Sequence, residues 1–415
     1  MNIEERLQWV SDAEKMILVD NDQKVCFTQP AHIAYACPIV CGTKSDPLTS
    51  ITLTEESYLN VYLNAEVIDF LTPKELEKRP VFMKEKNNNL EAYVITVKNA
   101  LNKQLLRFKI QSISNTFKYT SFLNACIINK RLQSLIHATP HIGLMYFSRF
   151  VEQGEVAVLF GLNNISNEVY GLQAIEDVGT KSAKTYIKEW ISLINENKNP
   201  KLKQKFDTFL RSFIFRILFT LHCILLRYPS FRHNDLHLDN IIMNMNETDD
   251  FCTYETENDM SFAISNQLSF PRIIDFGWSS LDGVRELGFN MKTNHYIDIN
   301  KLFNHLFLMF EKQSDILHPQ VWKFIQGVVP ESYRVGFHKS KHLESELQMS
   351  IWSPHSEYVI TKEKTWILPS SSTKGRSLPN FTSPGQLLKD PVFNMFRTVE
   401  KQGQVFSSLK ALEIA

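Results

Sequence analysis

The chain has 415 residues with 45 basic and 45 acidic side chains, so no global field directs it toward nucleic acid or an anionic membrane. Its 43% hydrophobic and 22% charged residues are those of a globular chain rather than a disordered one, and the length leaves room for more than one compact unit.

The opening stretch, MNIEERLQWVSDAEK, has a helical pattern but is too acidic and polar for a secretory leader. Residues 24–43 read as one or two strands, and a helix from Thr54 follows, in which Tyr58, Val61, Leu63, Val67 and Phe70 recur at near-helical spacing. Residues 1–78 are taken as an amino-terminal extension. Next, EAYVITVK (91–98) alternates apolar and polar residues, and QLLRFKI (104–110) answers it across a polar turn, which predicts an antiparallel hairpin. Residues 119–136 form a helix running into the strand-like HIGLMYF (141–147), and EVAVLF (155–160) and YGLQAIEDV (170–178) complete a small sheet.

A second region opens near residue 180, with a break at Lys198-Asn199-Pro200. The strongest helical pattern follows, from about residue 205 to 227. There Phe206, Phe209, Phe213, Ile217, Leu221 and Leu225 fall three or four apart and predict a wide buried stripe. Arg216 and His222 interrupt its most apolar part, residues 213–226, so no membrane span is expected. Of six cysteines (Cys26, Cys37, Cys41, Cys126, Cys223 and Cys252), only Cys37 and Cys41 are close, and no second pair completes a zinc site. Reduced thiols in a soluble intracellular protein are the expectation.

Two stretches carry chemistry. FRHNDLHLDNIIM (231–243) contains His-x-Asp with an asparagine five residues after the aspartate, followed by an apolar strand, and IIDFGW (273–278) is an apolar strand ending in Asp-Phe-Gly. Together they resemble the catalytic and metal-binding loops of the protein-kinase superfamily, in the divergent form found in large DNA viruses. The resemblance implies an α+β fold of two lobes: a small antiparallel sheet lobe over residues 79–179 and a mainly helical lobe over residues 180–415. It also implies ATP and Mg²⁺ as cofactors and a protein substrate. By position in the motif, Asp235 accepts or orients the acceptor hydroxyl, and Asn240 and Asp275 ligate the metal with oxygen. His233 braces the loop, and Asp298, at the start of an apolar helix, braces its backbone.

The same resemblance makes Lys109 the strand lysine that grips the nucleotide phosphates, with Lys98 as the other choice, and places an adenine-binding hinge at Glu176 and Val178. Departures from the family are plain. The turn at residues 86–89, Lys-Asn-Asn-Asn, has no glycine, and no glutamate lies between Glu91 and Glu152 to hold the strand lysine. His237 stands where conventional serine/threonine kinases carry a lysine, as in relatives acting on aminoglycosides or choline. The forty residues from Asp235 to Asp275 include an acidic insertion, 246–268, expected to be an exposed loop. Three functions stay open: a serine/threonine protein kinase, a pseudokinase scaffold, and a small-molecule kinase.

Overall fold

A computed structural model describes residues 79–81, 92–98, 105–112, 116–152, 169–176, 178–179, 181–244, 250–257, 260–268, 270–281, 296–329, 359–360, 366–367 and 382–413. The expectations for residues 1–78, 86–89 and 155–160 fall outside them. The described residues mix helices with small, mostly antiparallel sheets, and the chain divides into two compact units. The division comes between Asp177 and Val178, and Ser134–Ile142 groups with the second unit rather than the first.

The first unit holds a five-stranded antiparallel sheet in the order β1-β2-β3-β5-β4. Its strands are β1 (Arg79–Val81), β2 (Ala92–Lys98), β3 (Leu105–Ser112), β4 (Met145–Glu152) and β5 (Val169–Glu176). Helix α1 (Thr116–Gln133) packs on it through side chains one and two turns apart. Asn129 anchors the entry to β4: its amide donates to Gly143 O (3.1 Å), and its Oδ1 accepts from Met145 N–H (3.0 Å). Gln133 also donates to Met145 O. Gln173 on β5 reaches Cys126 Sγ at 3.4 Å, and burial pushes that thiol up to about 11. The Phe122 ring lies against Gly171, where an added Cβ would come within 2.4 Å of it. Phe122 is fully buried and has nowhere to retreat. Gly171→Ala is therefore expected to destabilise the protein by about 1–3 kcal/mol through overpacking, read as a lower urea midpoint at unchanged slope.

The second unit is built around helix α3 (Pro200–Arg227). It begins five residues earlier than its apolar stripe suggests, because Asn199 caps it, accepting from Lys201 N–H at 2.9 Å, and Pro200 takes the first helical position. The sequence that looked like a break is a helix start. By composition α3 could cross a bilayer, but 89% of its apolar window is buried by packing within the fold. Helix α2 (Ala183–Asn197) precedes it, capped by Ser182, and ends at Lys198 in the left-handed region.

The acidic insertion is not an exposed loop. It folds as a hairpin of β8 (Phe251–Glu255) and β9 (Ser261–Ser265), with Cys252, Tyr254, Phe262 and Ile264 buried. Two carboxy-terminal strands extend it: β13 (Arg397–Thr398) pairs antiparallel with β9, and β14 (Gln404–Ser407) runs parallel to β8. Arg216 explains how a charge sits in the middle of α3. Its guanidinium, fully buried, donates to Ser265 O (3.1 Å) and Asn266 Oδ1 (3.0 Å) and lies 5.1 Å from the Phe270 ring centroid. His141 completes this core, Nδ1 donating to Pro271 O (2.9 Å) and Nε2 accepting from the Tyr254 hydroxyl (2.7 Å).

Candidate active site

The catalytic-loop motif and the Asp-Phe-Gly motif meet because the strands flanking them pair. Strand β7 (Ile241–Asn244) lies antiparallel to β10 (Phe270–Ile273), with Ile241 opposite Ile273. Asn240, just before β7, and Asp275, two residues beyond β10, consequently leave the ladder at the same end. The backbone extends the pairing, Ile274 N–H donating to Asn240 O at 3.0 Å. Further along, Arg232 and Ser280 exchange both backbone hydrogen bonds (2.9 and 2.8 Å), so the entry of one loop is tied to the exit of the other.

Two non-glycine residues in these loops adopt positive φ: Asn234 at 63° and Asp275 at 65°. Asparagine and aspartate tolerate this region better than most residues, and such geometry persists where surrounding contacts impose it. For Asn234 those contacts are visible. Its side-chain amide donates to Trp278 O (2.9 Å) and Ser280 Oγ (3.0 Å). Its backbone N–H and that of His233 each donate to one oxygen of Asp298, at 2.9 and 2.8 Å. Asp298 opens helix α4 (Tyr296–Phe310) and is 3% exposed, so one buried carboxylate clamps the turn before Asp235. His233 donates through Nε2 to Ile274 O (3.0 Å) and lies against the Phe276 ring.

Asp235 follows this clamp with its side chain 14% exposed. The Asn240 amide donates to Asp235 Oδ2 (3.1 Å) and to its backbone carbonyl (2.9 Å). That fixes the Asn240 nitrogen and leaves its Oδ1 as the atom suited to a hard cation, together with the partly exposed Asp275 carboxylate. Asp235 Oδ1 is buried without a hydrogen bond, and Lys301 Nζ on α4 stands 4.0 Å from it. Burial pushes the Lys301 amine down to about 8, against the opposing pull of Asp235 and Asp298.

His237 is turned inward rather than toward solvent. It caps a 3-10 turn, its Nδ1 accepting from Asp239 N–H at 3.2 Å, which leaves Nε2 to carry the ring proton 3.5 Å from Asp235 Oδ2. Its ring stacks on His305 of α4 at 5.5 Å, and burial holds His305 neutral, its pKa lowered to about 3. Asp239 pairs with Lys184 (2.7 Å) and accepts from Ser182 Oγ (3.2 Å). Partial burial opposes its charge, but the Lys184 hydrogen bond and charge outweigh that and keep its carboxyl below the usual range.

Asp235, His237, Asn240, Asp275 and Val178 all belong to the second unit, whereas Lys109 and Glu176 belong to the first. Lys109 sits mid-strand in β3, opposite Val94 and Gln173, half-buried. Glu176 ends β5 with its carboxylate accepting from Leu144 N–H (3.3 Å), and Val178 is buried. Helix α1 contains no acidic residue. At its centre Asn124 is fully buried, and neither polar atom of its side chain has a hydrogen-bond partner. Lys301 and His305 were not singled out from sequence, although a lysine and a histidine within and just before the mainly apolar run LFNHLFLMF are the signal that could have marked them.

No family model matches the chain. It is similar to "Putative serine/threonine-protein kinase R400" of Acanthamoeba polyphaga mimivirus, 29% identical over 147 residues. That match covers 30% of this chain and spans 30% of the viral protein's length. Among solved structures, the BubR1 kinase domain aligns with 54% of this chain and 63% of its own at 13% identity, with a TM-score of 0.31.

Proposed function

We propose that this chain, a member of the protein-kinase-like superfamily, is an ATP- and Mg²⁺-dependent phosphotransferase acting on serine or threonine hydroxyls of a protein. The observation that carries the reading is the β7–β10 pairing. It gathers two partly exposed carboxylates and one amide oxygen at the end of a ladder whose approach is clamped by Asp298.

Phosphoryl transfer needs little covalent chemistry from a protein; it needs alignment and neutralised charge. Asn240 Oδ1 and the Asp275 carboxylate would hold magnesium, which when bound neutralises charge on the phosphate oxygens. Asp235 orients the acceptor hydroxyl and takes its proton. The acceptor oxygen bonds to the γ-phosphorus, the bond from that phosphorus to the bridging oxygen breaks, and ADP leaves with the electron pair. Lys109 would contact the phosphates, and the backbone at Glu176 and Val178 the adenine edge.

Purified protein is expected to transfer labelled γ-phosphate to a generic protein substrate and to lose the transfer on chelation of Mg²⁺. ATP with Mg²⁺ should raise its melting temperature, and Asp275→Asn should erase the Mg²⁺-dependent part of that rise. A second reading is favoured by the acid-free α1: a pseudokinase scaffold in which no helix carboxylate holds Lys109. Folded protein that shows neither transfer nor any thermal response to ATP and Mg²⁺ would select it. Transfer to amino alcohols or aminoglycosides but never to protein would instead select a small-molecule kinase.

A further inference from the structure

Helix α4 carries Asp298, Lys301 and His305 at three- and four-residue spacing among leucine, isoleucine and phenylalanine, with Asn304 donating to Asn300 Oδ1 beside them. All three are buried, and each meets the catalytic loop: Asp298 at the His233 and Asn234 amides, Lys301 at Asp235, and His305 at the His237 ring. Asp298 matches the expected brace. The other two are not needed to hold the helix in place, because Ile299, Leu302, Phe303 and Leu306 already bury its apolar side.

Lys301 is the informative one. Its side chain is 2% exposed, and taking an ammonium from water is costly unless a carboxylate receives it. The carboxylate it faces is Asp235, on Oδ1, the oxygen that no hydrogen bond occupies. Of the loop's own cations, Arg232 donates to the Pro229 and Phe231 carbonyls. Position 237 is a histidine with Nδ1 committed to Asp239 N–H, and Lys184, the nearest loop-facing cation on α2, is taken by Asp239.

Resting on the phosphotransfer reading above, we infer that Lys301 is the positioning cation of the catalytic carboxylate, supplied from α4 instead of from the loop. It holds Oδ1 in place while Asn240 holds Oδ2. Buried as it is, Lys301 acts through Asp235 and does not touch substrate. The arrangement accounts for the histidine at 237: with the charge delivered from behind, that position is released to cap the turn.

The test is steady-state phosphotransfer by wild type, Lys301→Met, and the double variant Lys301→Met with His237→Lys. Lys301→Met should lower kcat about 100-fold, the size of a small misplacement at the reacting centre, with KM for ATP and the ATP–Mg²⁺ thermal shift nearly unchanged. The double variant should recover at least about tenfold, because an ammonium at position 237 reaches the Asp235 carboxylate from the other side, where His237 Nε2 now stands 3.5 Å away. Should Lys301→Met not fold, Lys301→Arg and Lys301→Gln take its place. Arginine retaining activity while glutamine loses it supports the role, and equal activities overturn it. An active wild type with a fully active Lys301→Met, or with a loss that the second substitution does not rescue, overturns the inference alone. A wild type with no transfer to any acceptor overturns the phosphotransfer reading and this inference with it.

Discussion

Asp235→Asn is expected to cut phosphoryl transfer roughly a thousandfold, within the 10²–10⁴ range that a positioned proton acceptor contributes. The substitution keeps the shape of the side chain and an oxygen able to accept from Asn240, so the loop geometry should survive. What it removes is the negative charge and the basicity. The proton of the acceptor hydroxyl then has no place to go as the new bond to phosphorus forms. Lys301, 4.0 Å away, also loses one of the two carboxylates that keep it charged in a buried position, so the amine should titrate lower still. The measurement is the initial rate with labelled ATP at saturating Mg²⁺, beside circular dichroism and the ATP-induced melting shift as controls for fold and binding. Transfer at the wild-type rate would remove Asp235 from the role of base. A lost rate together with a lost nucleotide shift would point to damage in the site rather than to chemistry.

That the segments carrying Asp235, Asn240 and Asp275 come together was legible in sequence because each residue sits at a fixed offset from an apolar strand, and strand pairing carries those offsets directly into space. The β2–β3 hairpin was legible for a similar reason, the alternation in AYVITVK answered by LLRFKIQ. The hairpin of β8 and β9 was hidden. Acidic residues around it, such as Asp249, Asp250, Glu255 and Glu257, dominate the composition, while the alternating FCTYE and SFAIS within it are each only five residues long. Its burial also depends on partners far along the chain, β13 and β14, whose short strands give no periodicity to read. The start of α3 was misread because Asn-Pro suggests a turn, yet asparagine at the cap and proline at the first position are also how helices begin. Lys301 and His305 escaped for a different reason. Their place in an apolar helical run marks them as unusual, but what they face across the fold leaves no trace in their sequence spacing from Asp235.

Asp298 is where stability and function should fail together. Its two oxygens accept the His233 and Asn234 amides at 2.8 and 2.9 Å, and both donors are buried. Asp298→Ala leaves two buried N–H groups without an acceptor, each costing about 1–3 kcal/mol, and withdraws a charge from beside Lys301. A total loss of about 3–5 kcal/mol is expected, as for breaking a buried charged pair by removing one partner. Asp298→Asn should fall between wild type and alanine, since its carbonyl serves one amide while its NH₂ is turned against the other. The Asn234 backbone, at φ 63°, has little intrinsic preference for its conformation once the clamp is gone, so the turn should relax and Asp235 move with it. Equilibrium unfolding in urea, read by circular dichroism, gives the stability order wild type, asparagine, alanine. Phosphotransfer measured at a temperature where all three remain folded should follow the same order. Asp298→Ala with wild-type stability would mean that the amides find water instead, and that the clamp does not hold the loop.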